Sequence, residues 1–247
     1  SYANLANSVK AQFSTGSFGL VRYGVEANTT TAKAAWTAKF VQHQSEGYRD
    51  HNAMRRTVLE LDGLLFSSEK RTLESSLIYS DLFYEIPGGL TREQMEENPR
   101  QARPRSAGQN ASIDHQLLLF KIGQDYDFQN GLSNQTQVFG SYRQFENPFI
   151  LDYKRDEETR LGLRTVFEYA GAADKLSVFV GAEYQSAWLD AKNFGNVNGQ
   201  SDTIRFADEL ISTDLIAFIN TQYALTKTWN LVCGISLANT RYYIDKK

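Results

Sequence analysis

Apolar and polar residues alternate with a period of two through long segments of this chain. In residues 158–169, uncharged side chains occupy the odd positions from Thr159 to Tyr169, and charged or small side chains occupy the even positions apart from Val166. Successive residues of a strand point to opposite faces, so this pattern predicts a strand with one apolar and one polar face. Residues 175–188 and 229–237 repeat the pattern. Such runs exceed the roughly five or six residues usual in soluble sandwiches, which favours a tilted transmembrane barrel wall.

The alternation also predicts which side chains face the lipid. We expect the lipid-facing set to include Leu161, Leu163, Phe167, Val178, Val180, Leu231 and Ile235. Arg160, Arg164 and Glu183 fall on the interior face, with Arg143 nearby. These charges either guide a substrate through the interior or form cross-strand ion pairs that satisfy a polar lumen. Aromatic residues near strand ends predict interfacial belts: Trp36, Trp188, Trp229, Tyr169, Tyr223 and Phe128.

Clusters of turn-forming residues divide the chain into about eleven strands. The predicted segments are 8–15, 18–29, 32–46, 53–67, 71–86, 112–128, 133–146, 156–170, 174–190, 208–226 and 228–244. The connections after even-numbered strands are short: 29–31, 68–70, 130–132, 171–173 and 227. Those after the fifth, seventh and ninth strands are long, at 86–111, 146–155 and 191–208. In an up-and-down meander every second connection lies on the same rim, so the long ones collect on one rim, as in outer-membrane barrels.

Composition narrows the function classes. Hydrophobic residues make up 41% and the mean hydropathy is −0.45, which suits a barrel that exposes only alternate residues to lipid. A net charge of −3 and a pI near 5.7 offer no basic stripe, so we expect no nucleic-acid partner. A single cysteine, Cys233, forms no internal disulfide. His43, His51 and His115 lack metal-ligand spacing, so neither a metal site nor a cofactor is expected.

Three strings resemble TonB-dependent outer-membrane receptors of the ferric citrate and siderophore branch. They are the loop string 84–91 continuing into 98–104, the tight turn 16–19 with Arg22, and the string 45–51 followed by Arg55 and Arg56. The first is similar to a long extracellular loop of that family, the second to the first turn after the plug, and the third to the next extracellular loop. Order and spacing agree, and the resemblance spans the whole chain.

The resemblance implies an architecture and a function. Receptors of this family have a barrel of 22 strands filled by an N-terminal plug. Residues 1–247 are then expected to be a barrel segment, the N-terminal half of the wall, with the plug and the C-terminal half absent. The implied function is an outer-membrane receptor and transporter that imports iron chelates by TonB-coupled transport. Its partners would be the ferric chelate, the lipid of the outer membrane, the plug and the TonB complex.

Two alternatives remain from other function classes. One is a small outer-membrane porin, and the other is a barrel-embedded enzyme. A hydrolase needs a histidine beside a serine or an acidic partner. The sequence has no glycine-flanked nucleophile elbow, so we expect a protein that is not an enzyme.

The predicted extracellular loops carry the candidate ligand-binding residues. They are Arg49, His51, Arg92, Arg100 and Arg103. A guanidinium group binds carboxylates in a bidentate fashion, which suits an anionic iron chelate. The alternative is a solvated loop in which these arginines pair with Glu93, Glu96 and Glu97.

Overall fold

The computed structural model describes residues 6–171, 175–226 and 228–246. Within these residues the chain forms eleven strands and one short helix, in this order: β1 (Ser8–Gly16), β2 (Leu20–Thr30), β3 (Ala35–Ser45), β4 (Met54–Ser67), β5 (Arg71–Glu85), α1 (Arg92–Glu97), β6 (Ser112–Asp127), β7 (Leu132–Pro148), β8 (Asp152–Gly171), β9 (Leu176–Val197), β10 (Gln200–Ala224) and β11 (Asn230–Lys246). The number and order of strands agree with the sequence prediction. Of the predicted turn 171–173, Gly171 ends β8 and the other two residues lie outside the described residues, as does the predicted turn residue 227.

All the described strands belong to one sheet, and each pairs with its neighbours in sequence. The order runs from β1 to β11 without a crossover, and the strand pairs from β1·β2 to β10·β11 are antiparallel. The predicted up-and-down meander is therefore confirmed. No helix in the described part of the chain is long and apolar enough to cross a membrane.

Connections between the strands segregate by rim. One rim carries the connections 17–19, 46–53, 86–111, 149–151 and 198–199, and we call it the long-loop rim. The other carries the connections after the even-numbered strands, and we call it the short-turn rim. This follows from the antiparallel meander, in which alternate connections emerge at the same end. The predicted loops 86–111 and 191–208 thus share a rim, as expected.

Two of the predicted long loops are instead strands. Residues 146–155 continue β7 and β8 up to a turn at 149–151, and residues 191–208 continue β9 and β10 up to Asn198 and Gly199. The last two residues have φ angles of 52° and 81°. Positive φ at both central residues is the geometry of a two-residue hairpin turn, and Asn-Gly is its preferred sequence. These two segments are therefore strands that extend beyond the lipid, not irregular loops.

Cross-strand partners share a face, so the register defines rows of side chains around the wall. One row on the apolar face contains Tyr79, Leu118, Tyr142, Thr159, Trp188, Ile211 and Tyr243. The next row toward the long-loop rim is polar: Asp81, Gln116, Gln144, Glu157 and Asp190. The apolar band therefore ends between these two rows, at an aromatic-rich edge that includes the predicted belt residue Trp188.

The height of the apolar band matches a membrane. On β9 the outward-facing positions run from Trp188 down to Val178, which is about 33 Å of strand at roughly 3.3 Å per residue. A tilt of about 40° reduces this to roughly 25 Å, the usual height of the apolar band in outer-membrane barrels. Tyr169, opposite Val178, lies at the lower edge, where a second aromatic belt was predicted.

The two faces carry the predicted side chains. Register places Leu163 opposite Tyr184, and Phe167 opposite Val180, on the apolar face. Arg164 lies opposite Glu183 on the other face. Leu161, Leu163 and Phe167 are exposed, as side chains that meet lipid would be.

Candidate functional site

The connections 46–53 and 86–111 on the long-loop rim are docked onto each other. Backbone hydrogen bonds join the Asp50 N–H to the Arg100 carbonyl at 2.7 Å and the Glu85 N–H to the Ala53 carbonyl at 2.9 Å. Within the longer loop, the Arg103 N–H donates to the Pro87 carbonyl at 2.7 Å. Because these bonds cross between segments far apart in sequence, the two connections form one unit, which we call the docked loops.

Arg49 is the main side-chain link between the docked loops. Its guanidinium donates to the Gln101 carbonyl from Nε at 3.0 Å and from Nη2 at 2.8 Å. It also donates from Nη1 to the Gly88 carbonyl at 2.7 Å and from Nη2 to the Pro87 carbonyl at 3.4 Å. The planar fork of arginine can reach several carbonyls at once, which a lysine ammonium cannot match in geometry. Arg49 therefore holds the longer loop in place.

His51 fastens the base of the same loops. Its side chain is only 7% exposed. Nε2 lies 2.8 Å from the Ala111 carbonyl, and Nδ1 lies 3.4 Å from Oε1 of Glu85. A carbonyl oxygen can only accept, so we assign the hydrogen of that contact to Nε2. The other oxygen of Glu85 accepts from the Ala53 N–H at 2.8 Å, so this carboxylate at the end of β5 holds two residues of the connection 46–53.

Arg100 joins the docked loops to the first turn of the rim. Its Nε donates to the Tyr48 carbonyl at 3.1 Å, and its guanidinium lies 5.6 Å from the centre of the Tyr48 ring. That ring packs edge-on against Phe18 with a centroid distance of 5.3 Å. The backbone of Phe18 in turn accepts from the Glu46 N–H at 2.9 Å. Three consecutive connections are thus tied together.

Arg92 and Arg103 carry the more accessible charges. Arg92 lies on α1, where its side chain is 88% exposed and pairs with Glu96 one turn later at 2.9 Å. Thr91 caps this helix, and Gln94 completes a capping box. The Arg103 side chain is also exposed. Of the five candidate residues, these two arginines present free guanidinium surface, whereas Arg49 and His51 are engaged in loop docking.

The tips of the β7–β8 and β9–β10 hairpins join the docked loops in one hydrogen-bonded layer along the long-loop rim. Asn196 donates to the carbonyls of Gln109 and Phe149, and Asn147 donates to the Ser112 carbonyl at 2.7 Å. Arg205 pairs with Asp152 across the two hairpins. The docked loops and the tips of β7–β8 and β9–β10 therefore form a continuous layer. The amide side chains that make it have no spacing in the sequence that would have revealed them.

A small network stiffens the β7–β8 hairpin above the apolar band. Tyr153 is 9% exposed and donates its hydroxyl to Glu146. Arg155 donates to the other oxygen of Glu146 at 2.9 Å and lies over the rings of Tyr153 and Phe194. Burial and the hydrogen bond to Glu146 raise the pKa of Tyr153 to about 12, against the opposing effect of Arg155.

We expect the Tyr153 hydroxyl to lose its proton at a higher pH than an ordinary tyrosine does. Because its pKa is raised in the folded protein, its neutral form stabilises the hairpin fully below about pH 10, the ordinary value, and this contribution is lost as the pH rises through about 12. The ultraviolet absorbance of tyrosinate, measured as the difference between the parent and Tyr153→Phe, will show one group ionising near pH 12. A difference centred near the ordinary value would contradict the network.

Ion pairs cross the interior face lower in the wall. Lys10, Glu26, Lys39 and Glu60 occupy one row across β1–β4, with Lys10–Glu26 at 3.6 Å and Lys39–Glu60 at 3.0 Å. This ladder escaped the sequence analysis, although alternating charge signs on successive strands are its signal. On β7–β9, Arg143 and Arg160 both pair with Glu158, and Arg164 pairs with Glu183. The predicted cross-strand pairing of interior charges is thus present.

No cluster of three or more potential metal ligands occurs among residues 6–171, 175–226 and 228–246. The arrangement offers instead a polar interior, an apolar outer band and a hydrogen-bonded layer of loops at one rim. Such a wall can receive a ligand from outside through its loops and guide it along a charged interior.

Solved structures share this architecture. The ferric citrate transporter FecA in its unliganded form superposes on this chain with a TM-score of 0.80 and 14% sequence identity. The match covers 96% of this chain and 38% of the FecA chain. The pyoverdine outer membrane receptor FpvA from Pseudomonas aeruginosa PAO1, bound to pyoverdine, gives 0.79 at 12% identity, covering 96% of this chain and 41% of that chain. This chain therefore shares the fold of the barrel wall in these two structures.

The open form of the ferric-catecholate import receptor Fiu from E. coli K12 agrees, with a TM-score of 0.76 and 11% identity over 98% of this chain and 45% of that chain. The chain therefore spans less than half the length of each of these three structures. No family model matches the sequence. The resemblance to TonB-dependent receptors is confirmed at the level of the fold, and the barrel wall described above corresponds to the barrel portion of such receptors.

Proposed function

We propose that this chain is part of the barrel of an outer-membrane receptor that captures iron chelates and imports them by TonB-coupled transport. The observation that carries the proposal is the superposition on structures of a ferric citrate transporter, a ferric-catecholate import receptor and a pyoverdine receptor, over 96–98% of this chain. The membrane-height apolar band supports an outer-membrane location. These three proteins are a transporter and two receptors, which supports a role other than catalysis.

The sheet edges support a larger barrel. Strands alternate in direction, so β1 and β11 point the same way, and joining them directly would make a parallel pair. Unpaired backbone groups at a sheet edge cost several kcal/mol each in lipid. An antiparallel barrel closes only with an odd number of further strands, and eleven more would give the 22 of a plugged receptor barrel. We therefore propose that residues 1–247 form a barrel segment, with the plug and the other half of the wall supplied by further chain.

Capture would begin at the docked loops. The exposed guanidinium groups of Arg92 and Arg103 suit the carboxylates or other anionic groups of a ferric chelate. Arg100 lies beside them at the Tyr48 ring. Arg49 and His51 would contribute by holding the loops in a fixed arrangement, which lowers the conformational entropy lost when a ligand binds. The proposed partners are the chelate, the surrounding lipid, the plug and the TonB complex.

The test is a binding titration of the complete receptor with ferric citrate and a panel of ferric siderophores. We expect binding of an anionic complex, and we expect Arg92→Gln combined with Arg103→Gln to weaken it by up to about thirtyfold, since each of the two exposed ion pairs contributes about 0–1 kcal/mol. Lys70→Gln, on the short-turn rim, is the matched control and will leave affinity unchanged. A receptor that binds none of these chelates but takes up a neutral sugar or a peptide would overturn the iron assignment and leave the barrel assignment intact.

A further inference from the structure

Two asparagine–glycine pairs occur in the chain, and both lie in turns between strands. Asn130–Gly131 lies between β6 and β7 on the short-turn rim, and Asn198–Gly199 connects β9 to β10 on the long-loop rim. In such a pair the glycine nitrogen can attack the side-chain amide carbon of the asparagine, because glycine has no side chain to obstruct the approach. The chain therefore has two candidate sites for the same self-modification, and their surroundings differ.

At the first pair, the attacking nitrogen is accessible. Asn130 and Gly131 are both exposed. The Gly131 carbonyl accepts from the Ala170 N–H at 2.7 Å, but the Gly131 N–H has no hydrogen-bond acceptor among the residues that the structure describes. Water can therefore take the proton of this nitrogen, which is the step that makes the nitrogen a nucleophile.

The same turn activates the carbon under attack. The Leu132 N–H donates to Oδ1 of Asn130 at 3.2 Å, which closes a local side-chain turn. This bond polarises the side-chain carbonyl, and it stabilises the negative charge that forms on Oδ1 during the attack, as a donor in an oxyanion hole does. The turn also directs the Asn130 side chain forward along the backbone, toward Gly131, which favours ring closure by proximity.

At the second pair, the attacking nitrogen is already engaged. Gly199 is buried, and its N–H donates to Oδ1 of Asn196 at 2.9 Å. Asn196 is itself fixed, because its side-chain amide donates to the carbonyls of Gln109 and Phe149. Gly199 also packs so closely on Asn110 that an added Cβ would lie 2.6 Å from Asn110 Cβ. Water therefore does not readily deprotonate this nitrogen, and the nitrogen is not free to move toward the neighbouring side chain.

We propose that Asn130 is a site of spontaneous deamidation in the folded protein, and that Asn196 protects the second pair from the same reaction. The Gly131 nitrogen loses its proton to water and forms a bond to Cγ of Asn130. The Cγ–Nδ2 bond then breaks, and this nitrogen takes a proton from water and leaves as ammonia. Water opens the resulting succinimide at either carbonyl, which gives aspartate or isoaspartate at position 130. No oxidant or reductant takes part.

The products change the short-turn rim. Aspartate and isoaspartate each add one negative charge near Asp127, whose Oδ1 accepts from the Gln129 N–H at 2.7 Å. Isoaspartate also inserts one methylene group into the backbone of the turn, so the contact between Gly131 and Ala170 is expected to loosen. The modification accumulates with the age of the protein. It does not depend on the proposed function, since the docked loops lie on the opposite rim.

The test follows both pairs in the full-length protein, folded in lipid vesicles and incubated at mildly alkaline pH. Peptide mapping by mass spectrometry measures the loss of unmodified asparagine at each position. We expect Asn130 to react at least about tenfold faster than Asn198. In the urea-unfolded protein the two will react within about threefold of each other, because only the local sequence then matters. Equal rates in the folded protein would overturn the proposal.

Variants test the protection of the second pair. Asn196→Ala removes the acceptor from the Gly199 N–H and will raise the rate at Asn198 at least about fivefold, with the first pair unchanged. Asn147→Ala is the matched control, because Asn147 is another amide of the same rim layer, and this variant will leave Asn198 protected. An unchanged rate in Asn196→Ala, or an equal rise in both variants, would show that Asn196 is not the protecting group.

A second measurement identifies the product at the first pair. Isoaspartate accepts a methyl group from an isoaspartyl methyltransferase, so radioactive methyl transfer quantifies it. Asn130→Ser keeps a side-chain oxygen that can accept from the Leu132 N–H but has no amide to lose. We expect methyl transfer to the aged variant to be less than about a fifth of that to the aged parent. Equal transfer would place the reaction elsewhere in the chain and overturn the assignment of Asn130.

Discussion

Replacing Leu163 with arginine will prevent most of the protein from inserting into a bilayer, whereas the reciprocal change at the next residue, Arg164→Leu, will have a small effect. Leu163 lies in the middle of the outward-facing positions of β8, opposite Val138 and Tyr184. An arginine on the lipid face near the midplane costs about 2–4 kcal/mol. This corresponds to a loss of roughly thirtyfold to a thousandfold in the folded-to-unfolded ratio.

Arg164 is the matched control because it lies on the interior face at the same height. It pairs with Glu183 at 2.9 Å and lies over the Phe218 ring, but its side chain is 42% exposed. Pairs this accessible contribute about 0–1 kcal/mol. The measurement is the folding yield of each variant in lipid vesicles, read from the gel mobility of the folded barrel. We expect a much lower yield for Leu163→Arg than for Arg164→Leu. Equal yields would mean that the faces have been assigned wrongly.

The second large effect is expected at Arg49. Arg49→Gln removes a charged fork that contacts three carbonyls of the longer docked loop. Hydrogen bonds to charged groups contribute about 1.5–3 kcal/mol each, and these act together, so we expect the docking to weaken by about 2–4 kcal/mol. Local opening would then increase roughly thirtyfold to a thousandfold.

Amide hydrogen exchange measures that opening directly. The Asp50 and Arg103 amides, which donate to the Arg100 and Pro87 carbonyls, will exchange faster in Arg49→Gln, while amides in the middle of the sheet will not. Arg92→Gln is the control, since among the described residues that guanidinium pairs with Glu96 within α1. If the two variants exchange alike, Arg49 does not hold the loops.

Much of the wall follows from local sequence. Side chains of a strand alternate between faces, so Leu163 and Arg164 were assigned to opposite faces without knowledge of their neighbours. Turn residues marked the ends of the strands, and the alternation of short and long connections identified the rims. These signals are short in range, and tertiary contacts only reinforce them.

The hairpin extensions needed the tertiary structure. Residues 146–155 and 191–208 do not keep the regular alternation because they rise above the lipid, and their Asn, Pro, Gly and Asp residues are typical of loops. They remain strands because their partners continue in register, as in the pairs Pro148–Tyr153 and Val197–Gln200. The Asn198–Gly199 turn was the one local signal, and it was hidden within a polar segment.

The candidate ligand-binding residues show the same difference between what local sequence and what tertiary structure determines. The sequence by itself determined the strands, their two faces and the rim on which Arg49, His51, Arg92, Arg100 and Arg103 lie. Only the tertiary structure decided that Arg49 and His51 hold loops together, because the carbonyls they bind lie 38 to 60 residues further along the chain. It also decided that Arg22 and Arg56 share a row, because that neighbourhood depends on the register of three strands, which the packed faces and the intervening turns set together.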